Sequence, residues 1–278
     1  MKKDIRNLLI VVIFCGILLY WLNIHSVAGN LYPDIISSEQ FCRMEIEPEV
    51  CSAVAAYAQA TGESFRDVLA VYMIESRFRG YEIPDWEDGE YSRKKELLLR
   101  YYEKAFRAVR EAYGAVWEGA AVFPVAGNGI SEFYFENSWG ANREYGGKRR
   151  HEGTDIFGKS TLRGYYPVVS VCDGTVEKVG WLPLGGYRIG IRSKYGGYYY
   201  YAHLDSYEKE FQIGQQVCKG EILGLMGDSG YGEEGTKGKF PVHLHFGIYI
   251  NGKDNQEISV NPYALLRYQR KNIRKYVF

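Results

Sequence analysis

Four of the chain's five His residues fall between positions 151 and 245, in patterns that aim more than one side chain at the same place. His151 and Asp155, in HEGTD, are four residues apart, and this even spacing projects both from one face of extended backbone. His243 and His245 flank Leu244 and share a strand face, while Leu244, Phe246, Ile248 and Ile250 fill the opposite, apolar one. His203, in Tyr-Ala-His-Leu-Asp, belongs to a third strand, where alternation sets it on the face of Tyr199 and Tyr201. Zinc accepts imidazole nitrogen and carboxylate oxygen in a tetrahedral site, and a hydrolytic zinc keeps one position for water. Two His and one Asp would supply three protein ligands, leaving two further His for proton transfer and for an oxyanion. His151-Glu152 also opens like H-E-x-x-H, but that motif needs a helix and a second His at its fifth position. Here the fifth residue is Asp155, and Gly153, Thr154 and Gly158 oppose a helix.

The elements that must carry these residues have a period of two. From Phe123 to about Tyr263, short β-rich runs alternate with Gly turns, as in PVVSVCDGTVEKVGW, YRIGIRS, GGYYYYAHLDS, EILGLMGDSG and VHLHFGIYING. The chain's 25 Tyr and 32 Gly suit such half-buried strands and tight turns. The expected fold is therefore mainly β, an antiparallel sheet or sandwich of short strands spanning 121–278. Before it, residues 31–120 read as a small helical segment with three amphipathic helices. One ends on Gly62, one is capped by Ser64, and the third runs from Ser92 to about Trp117.

Residues 1–30 read as a membrane signal. Leu8 to Ile24 is almost unbroken apolar sequence behind Lys2, Lys3 and Arg6, with Tyr20 and Trp21 suited to an interface. An uncleaved transmembrane anchor with a cytoplasmic stub is the first reading, and a secretory signal cleaved near Ala28 is the alternative. Either leaves the body of the protein extracytoplasmic, where Cys42, Cys51, Cys172 and Cys218 could form disulfides or remain small buried thiols. The 34 basic and 34 acidic residues balance, so no cationic field calls for nucleic acid.

The joint pattern H-x-x-x-D, Y-x-H-L and H-x-H resembles the lysostaphin-type (LytM-like) zinc peptidases that cut peptidoglycan peptides. HEGTDIF, VCDGTVEKVGW with a following GGY, YYAHLDS, GQQVCKGEILGLMGDSG and HLHF occur in that family's order, from about Phe123 to Tyr263. The resemblance implies one zinc held by His151, Asp155 and His245, with His203 and His243 as catalytic imidazoles. It further implies a transition-state tyrosine at Tyr145, six residues before His151. The implied activity is hydrolysis of stem or cross-bridge peptide bonds in bacterial peptidoglycan. A catalytically silent wall-binding or scaffold module of the same fold is the alternative. The loop GDSGYGEEGTKGKFPV, from Gly227 to Val242, is longer than the compact loop usual before H-x-H and sets glycine-bridge specificity in question.

The resemblance does not reach Pro33 to Trp117. Glu75, in Glu-Ser-Arg-Phe at a helix end, resembles the catalytic Glu of lytic transglycosylases, which would make the chain a bifunctional wall hydrolase. The motif those enzymes carry downstream is missing, and a helix-end carboxylate facing solvent is the plainer reading. The helical segment is expected to act as a spacer or a docking surface for a protein partner. A fragment beginning near Ala120 is then expected to fold and keep its chemistry.

Overall fold

Caps and turn residues set most of the helix limits. The computed structural model describes residues 2–29, 31–144 and 147–276. The first helix, α1 (Lys2–Ala28), carries the 18-residue apolar stretch Ile5–Leu22, none of which is buried in the fold. At 1.5 Å per residue that stretch is roughly 27 Å long, close to the hydrocarbon thickness of a bilayer. Ser38 starts α2 (Glu39–Cys42) by accepting a hydrogen bond from the Phe41 amide. Next, α3 (Pro48–Thr61) opens on Pro and stops at Gly62, whose φ of 72° suits glycine. Ser64 caps α4 (Phe65–Glu75) by accepting from the Asp67 amide.

The stretch expected as one helix from Ser92 to Trp117 is two, α5 (Glu90–Tyr101) and α6 (Glu103–Trp117). The backbone leaves helical geometry at Tyr102, with φ −134° and ψ 28°. Both helices pack on α4, which has 11 residues and is about 16 Å long, too short to cover both halves of a straight rod. The buried positions Tyr91, Lys94, Leu98, Phe106, Val109, Tyr113 and Val116 keep helical spacing across the break, so periodicity alone does not reveal it.

Glu75 closes α4. Its carboxylate accepts from the Trp86 indole at 2.9 Å and pairs with the buried Lys94, which also holds Glu90 at 2.6 Å. A carboxylate whose oxygens are taken up by an indole and an ammonium pins α5 to α4, which is a structural role. Glu75→Gln is therefore expected to lower the melting temperature and to leave any hydrolysis of wall material unchanged; loss of glycan cleavage in that variant would restore the glycosidase reading.

The strands follow as β1 (Phe133–Phe135), β2 (Asn142–Arg143), β3 (Arg149–Arg150), β4 (Thr154–Gly158), β5 (Pro167–Val169) and β6 (Gly174–Leu182). The second half adds β7 (Gly186–Ser193), β8 (Tyr198–Tyr207), β9 (Gln216–Val217), β10 (Ile222–Met226), β11 (Leu244–Asn251), β12 (Glu257–Val260) and the last helix, α7 (Tyr263–Gln269). Ten strands form one antiparallel sheet with the order β1-β4-β11-β8-β7-β6-β9; β12 extends from β11, and β10 joins β5 to β8. β2 and β3 pair separately.

One face of this sheet is apolar, with Ile189, Ile191, Tyr199, Tyr201, Phe246 and Ile248 all buried. The helices cover it. Tyr199, inside that face, donates its hydroxyl to the Ala115 and Val116 carbonyls of α6 at 2.9 and 3.1 Å. The Asn261 amide donates to Cys42 O at 2.8 Å, Arg267 pairs with Glu47 at 2.8 Å, and the Gln269 side chain donates to Ala120 O at 2.5 Å. Helices and sheet share one hydrophobic cluster. Residues 39–117 are thus a layer laid on the sheet, which changes what a fragment beginning near Ala120 can do.

All five cysteines are free thiols, with Cys42, Cys51 and Cys172 buried and Cys218 exposed. Burial pushes the Cys42 and Cys172 thiols up to about 12, far from the thiolate that would react.

Candidate active site

The face of the sheet away from the helices floors a groove of about 720 Å³ that contains all four His of the second half and Asp155. Adjacent antiparallel strands bring the first three together. Asp155 on β4 and His245 on β11 are register partners, so their side chains leave the sheet side by side. His151 enters from just before β4, anchored by its amide to Ala141 O at 2.8 Å. The result is a small triangle. His151 Nε2 lies 2.9 Å from His245 Nδ1 and 3.1 Å from Asp155 Oδ1, and His245 Nδ1 lies 3.1 Å from the same oxygen.

Two imidazole nitrogens and a carboxylate oxygen are a donor set zinc accepts. Their separations have the size left between ligands that each sit about 2.0–2.1 Å from one cation. The surroundings orient the donors. His151 Nδ1 lies 3.0 Å from the Ser138 carbonyl and 3.1 Å from Arg143 Nη2, and with its proton directed to the carbonyl Nε2 presents a lone pair to the triangle. Arg143 Nη2 holds the other oxygen of Asp155 at 2.6 Å. Burial alone would raise the Asp155 carboxyl, but the polar groups gathered round it, the His151 and His245 rings foremost, outweigh it and keep it well below the usual carboxylate range. Burial also lowers His245, so the imidazole is neutral, the form in which it can ligate.

His203 and His243 face each other beside the triangle, their ring centroids 4.8 Å apart. His243 Nε2 lies 3.6 Å from Asp155 Oδ1. Each is fixed from behind by a backbone carbonyl, His203 Nδ1 to Ser229 O at 2.8 Å and His243 Nδ1 to Pro241 O at 2.7 Å. Both therefore keep the proton on Nδ1 and offer a basic Nε2. Burial lowers both, His203 well below its ordinary value with the neighbouring His243 and His245 adding to the effect.

His203 does not share a face with Tyr199 and Tyr201, as simple alternation requires. Those two point into the core, whereas His203 lines the groove with Tyr198, Tyr200 and Ala202. The register of β7 on β8 slips between Tyr187↔Leu204 and Ile189↔Tyr201, leaving Ala202 and His203 in a bulge. His203 has φ 63°, a left-handed conformation uncommon for a side chain of this kind, and the turn swings its ring to the functional face.

The loop before H-x-H forms the roof. Its Ser229 is fully buried and donates its hydroxyl to Leu204 O at 2.5 Å, while Phe240 packs 4.5 Å from the His203 ring and 5.2 Å from His243. Tyr145 lies outside the described residues.

Gly153, which the sequence marks only as opposing a helix, has a second role. A Cβ there would sit 2.6 Å from Phe246 O and 2.7 Å from the His245 ring, so only glycine lets β4 approach β11 closely enough to close the triangle. The glycine inside HEGTD was the available signal. Gly153→Ala is expected to weaken zinc binding about 10–100-fold, the range for groups that orient ligands, with the fold retained. Zinc titration against a chelating dye checks this, and wild-type affinity would refute it.

A family-level match to Peptidase family M23 covers residues 149–258. The L-Ala–D-Glu endopeptidase of Bacillus subtilis strain 168 is 44% identical over 174 residues, covering 60% of this chain and 51% of that protein. An uncharacterized metalloprotease of Haemophilus influenzae is 32% identical over 114 residues, covering 41% of this chain and 20% of its own length. The chain thus spans about half, or less, of the curated relatives it matches. A Ruminococcus gnavus crystal structure, described as a candidate glycyl-glycine endopeptidase LytM, is 39% identical with a TM-score of 0.73, covering 88% of this chain and 96% of that one. Coverage this broad takes in helical layer as well as sheet. From its motifs, its fold and this likeness, the chain belongs to the M23 peptidases, a zinc-dependent metallopeptidase family.

Proposed function

We propose that the chain is a zinc-dependent endopeptidase that hydrolyses peptide bonds in the stem or cross-bridge peptides of bacterial peptidoglycan. The observation that carries this reading is the meeting of His151 Nε2, His245 Nδ1 and Asp155 Oδ1 within 3.1 Å of one another on a groove floor, beside two further neutral imidazoles. On this reading His151, Asp155 and His245 hold the zinc. Bound there, zinc would supply a Lewis acid for the scissile carbonyl and lower the pKa of a water toward about 7.

The remaining work falls to residues of the chain. His203 and His243 each have Nδ1–H committed to a carbonyl, so Nε2 is the atom that takes a proton from the attacking water and later returns it to the leaving amine. Once Nε2 is protonated, the ring's other N–H still has its acceptor, and the imidazolium faces the developing oxyanion. Their matching anchorage supports a shared role without dividing base from oxyanion donor between them. Tyr145 is proposed as an additional oxyanion donor on the family resemblance alone. The apolar α1 is compatible with a single-pass membrane anchor, and we read the basic flank of Lys2, Lys3 and Arg6 as cytoplasmic with the groove outside. The helical layer, exposed on its outer side, remains the candidate docking surface for a protein partner.

His203→Ala and His243→Ala are each expected to keep zinc and lose about 10²–10⁴-fold in turnover, the contribution typical of general acid–base groups. Wild-type turnover in either variant removes that residue from the mechanism. The function itself is tested by mass spectrometry of the fragments released from several purified peptidoglycans by the zinc-loaded protein. New amino termini within stem or bridge peptides support the reading. Intact peptides under the same conditions refute it and favour the silent wall-binding module.

A further inference from the structure

The groove's charges are unevenly matched. Each carboxylate on its lining has a partner: Asp155 has Arg143 and the imidazoles, Glu152 accepts from Tyr249 at 3.2 Å, and Glu257 is held by Lys178 and Arg192. Arg188 differs. It lines the same groove from β7, yet its Nε and Nη1 are sealed from solvent with no acceptor among the described residues. Nη2 is not among the sealed atoms, and the residue lines the groove. A cation half-buried among the Tyr198 and Tyr200 rings with no counter-charge is costly unless an anion meets it.

Its place in the sheet sets how far such an anion would be from the chemistry. Arg188 faces the Ala202–His203 bulge of β8 between the pairs Tyr187↔Leu204 and Ile189↔Tyr201, one strand spacing of roughly 5 Å from the His203 backbone. Its partner on β6 is Gly180, so no cross-strand side chain covers it from that direction. The strand neighbours Ile189 and Ile191 are buried in the core, which fixes the backbone that presents the guanidinium.

We propose that Arg188 binds a free carboxylate on a substrate residue next to the scissile bond, so that the groove selects an acidic stem peptide over an all-glycine bridge. This rests on the endopeptidase reading above and narrows it to a substrate class. Glutamate meets the requirement by its chemistry: a linear chain uses at most one of its two carboxyls, and the other stays anionic unless amidated. A guanidinium is the side chain suited to pairing with such a carboxylate.

The test uses the full-length, zinc-loaded protein in detergent and two L-Ala–D-Glu peptides that differ only in whether the spare glutamyl carboxyl is free or amidated. A glycine-bridge peptide is the third substrate. The free acid should be cleaved about 10–100-fold more efficiently than the amide, the range for a hydrogen-bonded charge. Arg188→Met should bring that ratio toward one, and Arg188→Lys, a point charge without the fork, should leave it between. The same ordering should hold for the dissociation constants of analogues N-methylated at the scissile bond, measured by calorimetry. Equal cleavage of acid and amide by the wild type, or an unchanged ratio in a folded Arg188→Met protein, overturns the subsite and leaves the endopeptidase reading in place. So does cleavage of the glycine peptide alone. If no peptide bond is cut in any substrate or in whole peptidoglycan, the endopeptidase reading falls and the subsite with it. Should Arg188→Met misfold, the wild-type ratio and Arg188→Lys still decide.

Discussion

His245→Ala protein is expected to emerge from purification with little zinc and no measurable peptidase activity. His245 Nδ1 is one corner of a three-atom set whose edges are 2.9 to 3.1 Å, and Ala leaves His151 and Asp155 as a two-donor site. Groups that only orient ligands are worth about 10–100-fold in metal affinity, so a ligand itself should cost more than about a hundredfold. Turnover should fall by at least about 10³-fold, because the several kcal/mol a metal supplies convert at 1.36 kcal/mol per decade. The fold should survive, since the ring points into the groove while Leu244 and Phe246 hold β11 in the core. Metal analysis by mass spectrometry beside circular dichroism checks both halves. Full zinc occupancy in a folded His245→Ala protein would sink the ligand assignment and leave His243 as the imidazole to test next.

Why this much of the centre can be read from sequence is a matter of strand geometry. His151 to Asp155 and His243 to His245 are even spacings on short strands, and alternation carries side chains to a predictable face wherever no residue is inserted. The apolar set opposite His245 then fixes which face is buried, and Leu244, Phe246, Ile248 and Ile250 are all at 1% exposure or less. What alternation cannot supply is pairing between strands. That Asp155 faces His245 depends on β4 and β11 lying side by side, about ninety residues apart in sequence.

His203 fails the same rule for a reason no single sequence displays. A two-residue bulge and a φ of 63° reverse its face, and both are imposed by tertiary context: β7 on one side and the Ser229 carbonyl on the other. The carbonyls that fix the tautomers are equally invisible, because Ser138, Pro241 and Ser229 act through backbone oxygen that every residue has. The helix limits at Gly62 and Ser64 were legible because each has a local cause in φ or in a hydroxyl. The break at Tyr102 was not, since the buried positions keep helical spacing across it.

Deleting residues 1–120 is expected to unfold the sheet rather than release an active domain, although all the candidate ligands and imidazoles lie beyond the cut. The deletion removes α6, against which Tyr199 of β8 closes its two hydroxyl hydrogen bonds, and Gly197 packs so tightly there that a Cβ would fall 2.1 Å from Ala115 O. It also removes the Cys42 carbonyl that satisfies the Asn261 amide, the Glu47 partner of Arg267, and Phe41 and Phe78 from the shared cluster. Exposing a buried large side chain costs about 1.5–3 kcal/mol, and stranding a buried polar group about 1–3 kcal/mol. A handful of such losses equals the 5–15 kcal/mol by which a domain of this size is ordinarily stable. The fragment 121–278 should therefore lack a cooperative thermal transition, bind a hydrophobic dye and fail to retain zinc, while a chain cut only after α1, from residue 31, should show none of these defects. A fragment 121–278 that melts cooperatively with one bound zinc would show that the sheet stands alone, and would return the helical layer to the role of a detachable docking surface.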